Sequence, residues 1–220
     1  MMMEQELKVK KIAVLPTEAS GVPAVLDEAG VAFQRIACVD WEKDFPYAPE
    51  VSFRIAHTGN HILLEYQVVE DSVAAMAGHD NGRVWEDSCC EFFVQPTADG
   101  PYYNVECNCA GTVLLGCGPR REGREHAPAS VLKSIKRWSS LGAMPFTERL
   151  EKTRWNLALI IPVEAFFHHA IISLEGMPMR ANFYKCGDKL TKPHFLSWQK
   201  ITVDHPDFHR PEFFGSLLFA

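Results

Sequence analysis

No stretch of this chain approaches the roughly twenty consecutive apolar residues that a bilayer-spanning helix needs. The N-terminus reads Met1-Met2-Met3-Glu4-Gln5-Glu6 and then Leu7-Lys8-Val9-Lys10-Lys11, and the apolar stretch behind it runs only from Ile12 to Leu15. That is too short for the core of a secretory signal. As it stands the chain is expected in the cytoplasm, or outside it if an export signal once preceded these residues. Excess positive charge is missing too: 22 Lys and Arg stand against 28 Asp and Glu, a formal net charge of -6. Without a basic footprint, neither nucleic acid nor an anionic membrane surface is an expected partner. Paired cysteine spacings are absent. The seven cysteines are Cys38, Cys89, Cys90, Cys107, Cys109, Cys117 and Cys186, an odd number with no two-residue gap of the zinc-knuckle kind. Buried, reduced, structural thiols are the expectation. Also lacking are a Gly-x-Ser-x-Gly elbow, a His-Glu-x-x-His run and a Cys-x-x-Cys-His haem attachment run. No repeat, low-complexity block or linker breaks the 220 residues, so one domain over residues 1–220 is expected.

Long helical patterns are nearly absent as well. Val22 to Ala29 and a turn from Val163 to His168, opened by Pro162, are the best candidates. Strand patterns are plentiful. Val51 to Ala56 and His61 to Val69 flank Thr58-Gly59-Asn60, whose residues tolerate left-handed backbone, and predict a hairpin. Tyr102 to Cys109 and Thr112 to Cys117 predict another around Ala110-Gly111. Ser88 to Gln95, Val131 to Trp138, Arg154 to Ile161, Pro178 to Cys186 and Phe213 to Phe219 complete the set. Roughly ten strands with no βαβ alternation predict an all-β, two-sheet antiparallel β-sandwich, jelly-roll-like, with one or two short helices. A closed barrel is the alternative.

Alternation along the strands separates two faces. Asn104, Glu106 and Asn108 share one face of their strand, and Tyr103, Val105, Cys107 and Cys109 share the other. Cys89, Glu91, Phe93 and Gln95 oppose Cys90, Phe92 and Val94; Arg180, Asn182 and Tyr184 oppose Met179, Ala181, Phe183 and Lys185. If the polar faces are coplanar, the sheet displays an array of amide, carboxylate and guanidinium groups. A pyranose suits such an array: its hydroxyls pair with Asn, Glu and Arg, and its C–H face stacks on an aromatic ring. Of five tryptophans, Trp85 and Trp198 sit where a loop meets one of these strands, whereas Trp41, Trp138 and Trp155 are expected to fill core or interface.

Val84-Trp85-Glu86-Asp87-Ser88-Cys89-Cys90-Glu91-Phe92-Phe93-Val94 resembles the signature strand of the family 9 carbohydrate-binding modules and their relatives. Tyr103-Asn104-Val105-Glu106-Cys107-Asn108, with Gly111, is similar to the family's next strand. Arg180-Ala181-Asn182-Phe183-Tyr184-Lys185-Cys186-Gly187-Asp188, Pro193-His194-Phe195-Leu196-Ser197-Trp198 and Pro206-Asp207-Phe208-His209-Arg210-Pro211-Glu212-Phe213-Phe214-Gly215 resemble the closing motifs of its stand-alone branch. The resemblance covers roughly Val51 to Phe219 and implies a non-catalytic β-sandwich holding a mono- or oligosaccharide, often at a chain end, between two tryptophans. It implies Trp85 as the first stacking residue, Glu91 as a hydroxyl-binding carboxylate, Asn182 as a polar contact and Trp198 as the second aromatic. With the polar faces, the expected ligand-binding set is Trp85, Glu91, Glu106, Asn108, Arg180, Asn182 and Trp198. No cofactor is expected. Calcium is the one candidate ion, although Asp71, Asp80, Asp87 and Asp99 are scattered along the chain.

Three other readings compete. Glu91 and Glu106, on neighbouring strands, suggest a glycosidase pair or a partner of a glycosidase in carbohydrate catabolism. Seven Met and nine His, among them His168, His169, His194, His205 and His209, suggest a haem- or redox-binding sandwich. An interaction domain without a small ligand would bury Trp85 and cover the polar faces with a partner.

Overall fold

The computed structural model describes residues 6–220; the reading of Met1 to Gln5 lies outside them. It is a β-sandwich. Fourteen strands form one continuous hydrogen-bonded ribbon. In spatial order its main path is Glu125–His126, Val113–Gly118, Tyr102–Asn108, Cys89–Gln95, Pro178–Cys186, Gly215–Phe219, Leu7–Lys11, Glu50–His57, His61–Glu70, Thr153–Pro162 and Lys136–Ser139. The ribbon folds back on itself at Leu7–Lys11. Residues 7–9 of that strand pair in parallel with Leu217–Phe219, and residues 10 and 11 pair in parallel with Ala56 and His57. One short strand thus passes from the first sheet to the second. These parallel pairings are the departure from the all-antiparallel expectation; the long strands pair antiparallel throughout.

The core lies between the two sheets. Phe92, Val105 and Phe183 of the first sheet meet Phe53, Leu64 and Leu159 of the second. Phe53 stacks on Phe183 at 3.6 Å between ring centres, and Phe92 also stacks on Phe183 at 4.9 Å. The outer face of the second sheet is covered by the Val22–Glu28 helix, whose Val22 and Leu26 pack on Ala56, Leu63 and Ala158. The outer face of the first sheet is covered by loops instead. Trp41, Ile201, Phe208 and Phe214 pack on Phe93, Tyr102 and Tyr184, forming a second apolar layer. Cys89–Gln95 and Tyr102–Asn108 are therefore buried on both faces.

The hairpin between Glu50–His57 and His61–Glu70 turns at Gly59, whose φ of +95° is the left-handed backbone expected there. The stretch from Val131 to Trp138 is not one strand. Ala129–Ser134 is a helix entered from Pro128, and only Lys136–Ser139 is extended. Leu132 and Ile135, both buried, follow helical spacing, and Pro128 sets the entry. Val163 to His168 contains a single 3₁₀ turn, Val163–Ala165. Among the described residues no helix is long and apolar enough to cross a membrane.

Candidate functional site

Strand register decides which polar residues become neighbours. Tyr184 pairs with Glu91, Glu91 with Glu106, and Glu106 with Leu114. The next such row is Asn182, Phe93, Asn104 and Gly116. Paired strands lie about 4.8 Å apart, so the Glu91 and Glu106 side chains rise side by side from the outer face of the first sheet. Loops close over them. The 3₁₀ turn Val84–Glu86 brings in Trp85, residues 121–126 bring Arg121 and Arg124, the turn after Cys186 brings Asp188, and Phe195, Phe208 and His209 complete the wall. The space between them is about 310 Å³ and is partly open to solvent. That is the lower end of the size range of small-molecule sites.

Burial dominates the electrostatics. It pushes Glu106 up to about 7, against the pull of the Asn104 amide and Arg124. Burial, and then repulsion from Glu106, hold Glu91 well above the usual carboxylate range. Asp188 is raised to about 6, again chiefly by burial. His209 is lowered to about 3 by burial and by the nearby arginines, so its ring is neutral and shares a hydrogen bond between Nδ1 and the Tyr102 hydroxyl at 2.9 Å. Glu106 Oε1 accepts from Asn104 Nδ2 at 2.8 Å, while Oε2, fully buried from solvent, has no hydrogen-bond partner. Glu91 Oε1 accepts from the Cys186 thiol at 3.0 Å. The pocket floor is therefore a pair of carboxyls with spare capacity for a ligand's donors.

Of the seven residues expected at a ligand, the structure brings three together here: Trp85, Glu91 and Glu106. Trp85 is half-buried. The other four lie away from the pocket and hold the fold. Asn108 makes four hydrogen bonds of its own: Oδ1 accepts from the Ala110 and Thr112 amides, and Nδ2 donates to Asp87 and to the Ala77 carbonyl. Arg180 donates to the Phe214 carbonyl at 2.9 Å. Asn182 is clasped to the backbone of Gln199 in both directions. Trp198, only 9% exposed, turns into the inter-sheet core, edge-on to Phe53 and Phe183. Its amide donates to the Phe183 carbonyl, which pulls the indole inward and away from the solvent position expected of it.

The acidic residues considered for calcium are separate. Asp71 pairs with Lys192, Asp80 with Arg137, and Asp87 accepts from the Met76 and Ala77 amides. The histidines are dispersed too. His168 meets Glu125, His169 meets the Tyr103 hydroxyl, and His194 lies buried beside Lys185. Sequence reasoning missed Arg121, Arg124, Asp188, Phe195, Phe208 and His209 as pocket residues. Asp188, Phe195, Phe208 and His209 lie inside the closing motifs, which was the one available signal; nothing periodic marks the two arginines.

A two-sheet sandwich whose loops fold over one face to leave an aromatic and acidic slot is a carbohydrate-binding-module fold. The model of carbohydrate-binding family 9 matches residues 20–219, and the chain belongs to that family. Among solved structures it is similar to a Bacteroides uniformis protein proposed to bind carbohydrate, with 55% identity, 98% of this chain and 99% of that chain covered, and a TM-score of 0.95. Family 9 modules from Caldicellulosiruptor kristjanssonii share the fold at far lower identity. One, in complex with cellotriose, is 9% identical over 97% of this chain and 93% of its own, with a TM-score of 0.59. One in complex with glucose is 8% identical over 97% and 95%, with a TM-score of 0.56. No curated protein matches the chain.

Proposed function

We propose that this chain is a non-catalytic carbohydrate-binding domain and that the pocket over Glu91 and Glu106 is its sugar site. One observation carries the reading: Glu106 Oε2 is an unpartnered buried acceptor in a pocket also lined by the half-buried Trp85. An unmet acceptor beside an aromatic face fits a ligand with hydroxyl donors around an apolar ring. Phe195 and Phe208 supply the apolar wall in place of a second tryptophan. The small, loop-closed space suits the end of a sugar chain better than its middle.

The family whose model matches the chain is a carbohydrate-binding one, so the carboxyl pair is read as a hydrogen-bonding floor for hydroxyls and not as an acid and a nucleophile or base. Titration of the intrinsic tryptophan emission with mono- and oligosaccharides tests the proposal. Trp85→Ala is expected to weaken binding about ten-fold or more while the melting temperature stays within about 2 °C. If no sugar alters the emission or gives calorimetric heat at high millimolar concentration, the sugar site is refuted.

A further inference from the structure

Four carboxyl groups and two guanidinium groups line the pocket, more acid than hydroxyl binding alone uses. Glu91 and Glu106 face it from the sheet, Asp188 from the turn after Cys186, and Asp207 from the covering loop. Arg121, Arg124, His126 and His209 also face it. Arg124 is directed elsewhere: its guanidinium donates to Asn104 Oδ1 and to the carbonyls of Tyr102, Gly116, Gly118 and Arg120, and lies over the Tyr102 ring at 4.3 Å. Arg121, mostly exposed, reaches Asp207 at 3.7 Å on the rim. His126 is exposed and His209 is neutral. Among the described residues, no cationic side chain lies within ion-pair distance of Glu91, Glu106 or Asp188. Glu106 is 4% exposed, and its Oε2 still lacks a partner.

We propose that the pocket selects a sugar bearing a protonated amine, with the ammonium against Glu106 Oε2 and beside Glu91 and Asp188. The inference rests on the sugar reading above and narrows its ligand class. An ammonium brings three donors and a full positive charge to a buried carboxyl pair that makes no direct ion pair with a cation, and its binding takes the place of the proton that burial favours on that pair. Away from bulk water that attraction is screened less than at the surface. Trp85 at the same pocket adds a ring face that favours a cation as well as a C–H face. A divalent metal is the competing occupant, because donor atoms of Cys89, Glu91 and Cys186 lie within 4.8 Å of one another. The thiols argue against it. Burial raises both of them, and Cys186 already donates its hydrogen to Glu91. Metal ligation needs thiolates.

Calorimetry on the full chain decides the matter, with glucose and glucosamine, galactose and galactosamine, and mannose and mannosamine compared at neutral pH and low salt. In at least one pair the amine is expected to bind about ten-fold tighter than its parent, with N-acetylation abolishing the gain. High salt and Glu106→Gln should each bring the amine-to-parent ratio to within about two-fold of unity. Asp188→Asn should lower the same ratio and serves if Glu106→Gln misfolds. Parents that bind as tightly as their amines in all three pairs would overturn the amine preference and leave the sugar site standing. Failure of every sugar, charged or neutral, removes both. Cobalt(II) giving thiolate charge-transfer absorption and displacing the amine would assign the pocket to a metal and refute the proposal.

Discussion

At Asn108 the side-chain amide uses all of its hydrogen-bonding capacity within 31 residues of itself in sequence, and none of it faces the pocket. It closes the turn around Gly111 and holds Asp87, which in turn holds the Met76 and Ala77 amides. Asn108→Ala removes these bonds and strands buried partners, so stability is expected to fall by about 2 kcal/mol in urea denaturation. Sugar affinity should fall far less than in Trp85→Ala, since no ligand contact is lost. Glu106 is the opposite case, a polar residue whose partners are incomplete. Its folded pKa of about 7 lies above the 4.5 of an ordinary glutamate, so the folded state binds the proton more tightly than the unfolded chain does. Stability from this group is therefore present below about pH 4.5 and is lost as pH rises toward 7. The stability of the wild type relative to Glu106→Gln should fall by up to about 3 kcal/mol across that window. Chemical denaturation of both proteins at a series of pH values measures it. A difference that rises with pH instead would reverse the sign.

Among elements, the hairpins were the most legible because glycine and amide residues mark their turns locally. The Cys89–Gln95, Tyr102–Asn108 and Pro178–Cys186 strands were legible from alternation, and their two faces separate as the pattern implied. The polar face, however, is not solvated. Loops carrying Trp41, Ile201, Phe208 and Phe214 cross it, and their long-range packing leaves no periodic trace. The Leu7–Lys11 strand was also invisible. Five residues with three lysines carry little strand signal, yet Val9 is fully buried and the strand joins the two sheets. Val9→Pro removes a backbone donor and the buried Val side chain from the seam. It should lower stability by about 3 kcal/mol or more and promote association through the exposed edges of Gly215–Phe219 and Glu50–His57. Thermal melting and light scattering test both effects.

Across the whole molecule, a buried ion pair spans the sandwich. Lys185 Nζ of the first sheet lies 2.9 Å from Glu70 Oε2 of the second, with His194 Nε2 at 2.7 Å from the same nitrogen and Trp155 donating to Glu70 Oε1. Burial opposes the lysine's charge, and Glu70 outweighs it, so its pKa stands above the usual value. Lys185→Met leaves Glu70 buried without its counter-charge and should cost about 3–5 kcal/mol. The Lys185→Met, Glu70→Gln double variant should cost less than the two single changes added together, a coupling that a denaturant double-mutant cycle reads directly.

By itself the sequence determined the fold class, the main strands with their inward faces, the family, and Trp85, Glu91 and Glu106 as candidates, because alternation and short motifs are local properties. Tertiary structure decided the rest. Asn108, Arg180, Asn182 and Trp198 have the same residue types and the same alternation as a binding face, and only their hydrogen bonds and packing to distant segments turn them to structural use. Arg124, Asp188 and Phe208 enter the pocket through loops whose course depends on contacts far away in the chain. Whether a carboxyl has a partner, and hence what it will accept, is a matter of distances that no spacing in the chain encodes.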